Sequence, residues 1–188
     1  MRFLARFLQA LLAVALLIAV FFWFAGRRGD RGGIEEEITI DRPAPVVFRW
    51  VSSDELLRRW ISDWVKIEPL PAGTTTAAPN RTVRIEQWIA GNKVTLDFRT
   101  TRVVLNQEIW WDLRGTAADG CRGTASFKLL PSGDYTRLTF SSHTEFANVF
   151  DQFFEPAWTF AAKRKLHSDL VRLKLMMEAE PVSPADYR

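Results

Sequence analysis

Residues suited to acid–base chemistry are few in this sequence and lie in unfavourable places. There are only two histidines. His143 and Glu145 are two positions apart in an alternating run, so both face the same side of a strand as Arg137, which is the polar side. His167 lies in the charged segment KRKLHSD and is expected to be solvated. Because a general base must reach its substrate, the sequence predicts no catalytic residue and makes an enzyme the less favoured interpretation.

The remaining reactive side chains support the same interpretation. Asp97, Glu108 and Asp112 alternate with apolar neighbours and fall on the polar face of their strands. The single cysteine, Cys121, follows Gly120 in a predicted turn, and no His/Cys/carboxylate cluster has the spacing of a metal site. No glycine-rich phosphate loop is present. We therefore expect neither a metal nor another cofactor.

The elements that would position these residues are mostly β-strands. Ile34, Ile38 and Ile40 alternate with charged or hydroxyl residues, which is the pattern of a half-buried strand. Six similar runs follow within residues 63–69, 81–90, 93–100, 108–114 and the predicted hairpin 123–146. Turns are predicted at 91–92, 106–107 and 131–134. One face of each run is apolar and the other polar, which predicts an antiparallel sheet with one covered face.

Three helices complete the predicted domain. Pro43 and Pro45 end the first strand and suit the first turn of a short helix. A second short helix runs to Trp60, with Ser53 as its predicted N-cap. Apolar residues at helical spacing predict a long helix over 147–179, in which Pro156 kinks the rod or begins its regular part. This helix is expected to cover the apolar face of the sheet.

The N-terminal segment predicts a membrane anchor. Residues 7–25 are apolar except for Gln9, and as a helix they would span about 28 Å, close to the thickness of a bilayer core. The alternative is a cleaved secretory signal, but Trp23 stands where a small residue is needed. We predict a single-pass anchor at 1–25, a Gly/Arg tether at 26–33, a domain at 34–178 and a tail at 179–188. Arginines flank both ends of the apolar run, so the side of the membrane stays open.

The charge distribution excludes one class of partner. The whole chain carries a formal net charge of +3. Five of its basic residues and one acidic residue lie in residues 1–33, which leaves 20 basic and 21 acidic residues in 34–188. The basic character therefore belongs to the anchor, where arginines can meet anionic headgroups. We expect no nucleic-acid partner.

The order of the predicted elements, together with the segment ITIDRPAPVVFRWVSSDELLRRWISDW at 38–64, resembles the SRPBCC superfamily. That superfamily includes StAR-related lipid-transfer domains, birch-pollen-allergen-like proteins and polyketide cyclase/dehydrase-like proteins. The residues that carry the resemblance, which extends from about 34 to 178, are Ile38, Ile40, Pro43, Pro45, Phe48, Val51 and Trp60. It implies an α+β helix-grip fold, in which a curved seven-stranded antiparallel sheet wraps a long C-terminal helix around a hydrophobic cavity. It also implies a membrane-tethered protein that binds a hydrophobic small molecule of the lipid or isoprenoid class.

Strand parity predicts which side chains would line such a cavity. The apolar candidates are Ile85, Phe98, Trp111, Leu113, Phe127, Leu138 and Phe140, opposed on the helix by Phe153, Ala157 and Phe160 or Ala161. Gln87, Thr100, Ser142 and Thr144 share the inward parity and are candidates for orienting a polar group of the ligand. Alternatively, these polar residues lie at the cavity mouth or bond to neighbouring backbone.

Three alternatives remain open at this stage. The many aromatic residues are compatible with a dense core as well as with a pocket. A domain without a ligand would be a protein-interaction module, for which the sequence identifies no partner. Some members of the superfamily are cyclases or dehydratases, so an enzyme is the third alternative.

Overall fold

The computed structural model describes residues 6–7, 9, 11–17, 20, 32–71, 73, 75–89, 92–116, 121–145 and 149–181, with only the backbone described at 89, 92 and 149–154. The predicted anchor at 7–25 falls largely outside this set; its described residues are helical. Within the described part of the chain, no helix is long and apolar enough to cross a membrane. The first strand begins at Gly33, so one glycine of the predicted tether belongs to the domain.

Seven strands form one antiparallel sheet, as predicted. They are β1 (Gly33–Ile40), β2 (Trp64–Leu70), β3 (Thr82–Ile89), β4 (Asn92–Val104), β5 (Glu108–Gly115), β6 (Arg122–Ser132) and β7 (Tyr135–Glu145). The strand order is β1-β7-β6-β5-β4-β3-β2. Consecutive strands β2 to β7 are neighbours, and β1 closes the series by pairing with β7. The sequence predicted an antiparallel sheet with one covered face, because each strand carries one apolar face, but it did not predict the strand order.

Two short helices follow β1, and one long helix ends the domain. They are α1 (Ala44–Ser52), α2 (Asp54–Trp60) and α3 (Val149–Ala179), which contains Pro156. Pro43 occupies the N-cap position of α1. Ser53 occupies the N-cap position of α2, as predicted, but its side chain makes no cap hydrogen bond. The backbone of Ser53 is extended and forms a bridge to Thr76, so this residue links two segments instead.

The solid core lies at the end of the sheet where β1 stops. Side chains from α1, α2, α3 and four strands meet there, and the largest fully buried ones include Trp50, Trp60, Ile109, Leu138 and Leu173. Trp60 closes α2, and its Nε1 donates to the backbone oxygen of Trp50 at 3.4 Å. A buried indole with a hydrogen-bond partner costs little, so Trp60 can stay in the core. This packing fills one end of the space between the sheet and α3.

Candidate ligand cavity

The other end of that space is a cavity of about 1040 Å³. Its walls are the inner face of strands β1 to β7, the side of α3 that carries Ala157, Ala161 and Leu166, and the tips of the short helices. A volume of this size matches the upper range of small-molecule sites in proteins. One end of the interior is therefore a packed core and the other end is a cavity. The dense core and the pocket, which the sequence analysis gave as alternatives, are both present.

Most residues with the predicted inward parity lie in the cavity wall. They are Ile85, Gln87, Phe98, Trp111, Leu113, Phe127, Phe140, Ser142, Thr144 and Ala157, with Ala161 from the helix. Strand parity found these positions because adjacent strands keep one face inward along most of their length. Phe153, also predicted to line the cavity, has a side chain outside the described residues.

Three predicted positions do not line the cavity. Leu138 is fully buried in the core beyond the cavity floor. Phe160 is 71% exposed on the outer side of α3, because a step of one residue on a helix turns the side chain by about 100°. Thr100 is also fully buried, next to a register shift in the pairing of β4 with β5. Its backbone bonds to residues 80 and 81.

Aromatic rings join the core to the cavity. The ring centroid of Phe127 lies 5.0 Å from that of Phe140, 5.6 Å from that of Trp111 and 6.0 Å from that of Trp60. Of these rings, Trp60 is almost fully buried, whereas Trp111 and Phe140 are half-buried and face the empty space. The Trp111–Phe127 pair is edge-to-face and the other two are tilted, and such aromatic contacts stabilise the wall beyond area burial alone. The result is a preformed apolar surface for a ligand.

Three polar side chains of the wall are available to a ligand. Gln87, Ser142 and Thr144 line the cavity, and within the described part of the protein their side chains make no hydrogen bond. Ser141, the neighbour of Ser142 on the opposite face, instead donates to Glu35 at 2.8 Å. A desolvated amide or hydroxyl gains from a partner, so a polar group of a ligand would be oriented here.

An ion pair in the cavity wall was missed by the sequence analysis. Arg81 and Asp54 form a bidentate pair whose side chains are 8% and 12% exposed. Asp54 begins α2, and Arg81 ends the segment between β2 and β3. The backbone adds two bonds, Asp54 N–H to Thr75 O and Ala77 N–H to Ser52 O. We call residues 75–81 the strap, because they fasten this loop across the tip of α2.

A second charged group was also missed. Lys165 of α3 contacts Asp169 at 2.6 Å and Asp63 at 3.2 Å, and Asp169 accepts a further bond from the Ser62 hydroxyl at 3.0 Å. All three charged residues line the cavity. They come from a loop and from a helix, so alternation along strands carried no signal for them. One sequence signal could have revealed part of this group: Lys165 and Asp169 are four residues apart on α3, and residues at that spacing are neighbours on a helix.

Three cavity-lining residues that are also exposed, Trp88, Lys93 and Arg122, lie at the same end of the strands, and we call this end of the cavity the mouth. Strand pairing brings together the start of β1 at Gly32, the end of β7 at Thr144, the start of β6 at Arg122 and the end of β5 at Gly115. Trp88, near the end of β3, lies at this same end of the strands, and all five residues border the cavity. The opposite end of the strands is covered by α1 and α2, and the core lies there; we call it the closed end.

Gly32 fastens the chain to this mouth. Its N–H donates to Glu155 Oε1 at 2.8 Å, and its carbonyl accepts from Thr144 N–H at 3.0 Å. Its φ is +74°, and a Cβ at this position would overlap the carbonyl oxygen of Thr144. Only glycine fits both conditions. The residue that precedes the first strand is therefore part of the cavity rim.

The ionisable residues of the outer face make pairs among themselves. A hydrogen bond from Lys93 lowers the pKa of Glu86, and a hydrogen bond to Asp97 raises the pKa of Arg84. His143 and Glu145 are exposed on the same face, and His167 lies 3.4 Å from Glu36. Among the described residues, no group of three or more His, Cys, Asp or Glu side chains could hold a metal ion.

Comparison with known proteins follows the same boundaries as the fold. A family model described as "Polyketide cyclase / dehydrase and lipid transport" matches residues 31–178. No curated protein matches the sequence. A START superfamily protein from Mycobacterium smegmatis is 15% identical, with a TM-score of 0.61, and the match covers 78% of this chain and 97% of that one.

Two further solved structures have the same fold. A protein from Thermus thermophilus is 17% identical, with a TM-score of 0.63 and coverage of 78% of this chain and 97% of its own. A protein from Rhizobium leguminosarum is 17% identical, with a TM-score of 0.63 and coverage of 80% and 97%. At such identities the likeness concerns the fold alone.

Proposed function

We propose that this chain, which belongs to the polyketide cyclase / dehydrase and lipid transport family, binds an apolar small molecule in its cavity while tethered to a membrane. The membership confirms the superfamily predicted from the sequence, and the antiparallel sheet with its C-terminal helix confirms the helix-grip architecture. The single observation that carries the proposal is a cavity of about 1040 Å³ with a mainly apolar wall.

The distribution of charge in the wall indicates the chemical class of the ligand. The charges of Arg81 and Asp54 compensate each other, and Lys165 is held between Asp63 and Asp169. The other charged residues of the wall, Lys93 and Arg122, lie at the mouth. The ligand would therefore meet an apolar surface with the amide of Gln87 and the hydroxyls of Ser142 and Thr144. Such a wall suits a mainly hydrocarbon molecule with a small uncharged polar group, such as a lipid or isoprenoid.

Tethering is supported by the sequence of residues 7–25. An apolar run of this length suits a bilayer-spanning helix, and the arginines that flank it suit anionic headgroups. A tether would keep the cavity close to the bilayer, in which apolar ligands dissolve.

The test is extraction of ligand from the purified full chain, followed by mass spectrometry. We expect an apolar compound at a near-stoichiometric amount. Trp111→Ala should reduce the bound amount about tenfold, because a large apolar contact is lost. Trp110 is the matched control: it lies on the opposite face of the same strand, where its Nε1 donates to Glu108 and Lys128 lies over its ring. A full chain that carries no apolar compound and takes up none from vesicles would contradict the proposal.

An enzyme is the second candidate, and one observation favours it. Lys165, Asp63 and Asp169 place ionisable groups in the cavity wall, where the sequence analysis expected none. Such a group could move a proton to or from a bound molecule. The same extraction tests it: an Asp169→Asn variant that accumulates a compound of different mass from that of the wild type would indicate turnover. Identical compounds in both proteins would exclude chemistry that depends on Asp169.

A further inference from the structure

The chain enters the domain at the mouth of the cavity. Gly32 is bonded to Thr144 and Glu155 on the rim, and the predicted anchor ends at Ala25. Only residues 26–31 lie between them. Seven Cα-to-Cα steps reach at most about 25 Å. A bilayer that held the anchor would therefore have the mouth within that distance of its surface, whereas the closed end can lie farther away.

The mouth and the closed end are far apart because the strands between them are long. Strand β6 has 11 residues from Arg122 at the mouth to Ser132 at the closed end, which corresponds to about 34 Å. The turn between β4 and β5, with Leu105, lies at the same closed end as Ser132. The two ends of the domain are therefore farther apart than the link can reach.

The rim carries side chains that suit a bilayer surface. Trp88 borders the cavity and is 50% exposed, and tryptophan is favoured at the interface of headgroups and hydrocarbon. Arg122 is exposed on the same rim, and the link adds Arg27, Arg28 and Arg31 against one aspartate. Cations of this kind are attracted to anionic lipids.

Exposure of apolar residues alone does not choose between the two ends. Leu105 and Leu130, near the closed end, are 71% and 60% exposed. The mouth is distinguished because the point of chain entry, the exposed tryptophan and the arginines occur together there. These two leucines therefore serve as controls rather than as a second docking surface.

We propose that the cavity mouth docks on an anionic bilayer through Trp88 and Arg122, so that a ligand passes between the bilayer and the cavity without crossing water. This inference rests on the tethered binding proposed above. It identifies the partner of the rim as the lipid surface itself. The closed end, with α1 and α2, would point away from the membrane.

The orientation can be measured with single labels on the full chain. In a Cys121→Ser background, a fluorophore is placed at Thr116→Cys on the mouth or at Leu105→Cys on the closed end. The protein is reconstituted in phosphatidylcholine vesicles that contain phosphatidylserine and a lipid with a nitroxide headgroup. We expect quenching at position 116 to be several-fold stronger than at position 105. Equal quenching, or stronger quenching at 105, overturns the inference.

Contact of the rim is tested with the mouth label and two variants. Trp88→Ala and Arg122→Ala should each lower quenching at position 116 and slow the transfer of ligand to vesicles by about fivefold. Leu130→Ala, which removes an exposed apolar side chain at the other end, should change neither. Rim variants that leave both readouts unchanged overturn docking through these residues.

The controls separate this inference from the proposed function. Co-flotation with vesicles and ligand content are measured on every variant. A protein that floats and carries ligand but shows no preference between positions 116 and 105 retains the proposed function and loses the docked mouth. A protein that does not float loses the tether and the docked mouth together.

Discussion

Gln87 is the wall residue whose side chain is best suited to recognise a polar group. It lies on β3 opposite Trp64 and Val94, so its amide is surrounded by apolar side chains. Its side chain lines the cavity, so a ligand can reach both its donor and its acceptor. Specificity for a polar group would follow from the cost of leaving this amide unpaired against the wrong ligand.

Replacing Gln87 by leucine should therefore weaken binding of the natural ligand. Loss of one hydrogen bond is worth about 1 kcal/mol, or about fivefold in the dissociation constant. The measurement is titration with the extracted compound, followed by tryptophan fluorescence. Glu86→Gln is the control, because Glu86 is on the outer face and is bound by Lys93. Equal weakening in both variants would contradict the role of Gln87.

Gly32 permits a sharper test of backbone geometry at the rim. Gly32→Ala has to accommodate a left-handed φ and an overlap with the Thr144 carbonyl, and the φ alone costs about 1–2 kcal/mol. Gly133 is a matched control, since its φ is +64° and a Cβ there would have no atom within 4 Å. We expect Gly32→Ala to lower the free energy of unfolding clearly more than Gly133→Ala, as measured by urea denaturation. Similar losses would mean that the contact with Thr144 relaxes at little cost.

The attachment of the strap to α2 depends in part on one ion pair. Its backbone bonds to Ser52 and Asp54 are few, and Arg81 adds a bidentate contact to Asp54 in a place with little solvent. Removing one partner of a buried pair leaves the other charge without compensation. The strap should therefore loosen from α2 when either residue is replaced.

Arg81→Ala should lower the free energy of unfolding by about 3 kcal/mol. Arg84→Ala should cost less than about 1 kcal/mol, although Arg84 binds Asp97 with two hydrogen bonds of 2.8 and 2.9 Å. The difference arises because the side chains of Arg84 and Asp97 are 40% and 28% exposed. Urea unfolding of both variants checks this, and equal costs would mean that the Asp54 pair is hydrated in solution.

At the scale of elements, the sequence predicted the strands better than the positions that interrupt them. Alternation located Ile85, Phe98 and Trp111 on the inner face, because a strand has only two faces. Thr100 is fully buried but does not line the cavity, and the pairing of β4 with β5 shifts register directly after it. On α3 the choice between Phe160 and Ala161 depended on an angle of about 100°, which apolar spacing alone does not fix.

The charged residues of the cavity were missed for a different reason. Asp54, Asp63 and Arg81 belong to helix starts and loops, whose positions depend on how the strap folds over α2. No local pattern in the sequence states that residues 52–54 and 75–77 are neighbours. Such long-range pairing is a property of the folded chain, so the sequence analysis did not identify these residues.

The division of the interior into a core and a cavity is a property of the whole molecule. Leu170, Leu173 and Met177 on the second half of α3 fill the closed end, whereas Ala157 and Ala161 on its first half leave space. The change from large to small residues along one helix thus separates the part of the domain that provides stability from the part that is open to a ligand. Filling the second part should abolish binding without unfolding the first.

Ala161→Trp is the substitution that tests this division. The added ring would occupy the cavity next to Leu166, so ligand content should fall more than tenfold while the thermal midpoint of the ligand-free protein stays equal or rises. In the wild type, ligand at 100 times its dissociation constant should add about 2.7 kcal/mol, and this gain should vanish in the variant. Phe160→Ala is the neighbouring control: Phe160 is 71% exposed on the outer side of α3, so ligand content should not change. An Ala161→Trp protein that still carries ligand would place the binding site outside this cavity, since a ring of that size and the ligand cannot share the space beside α3.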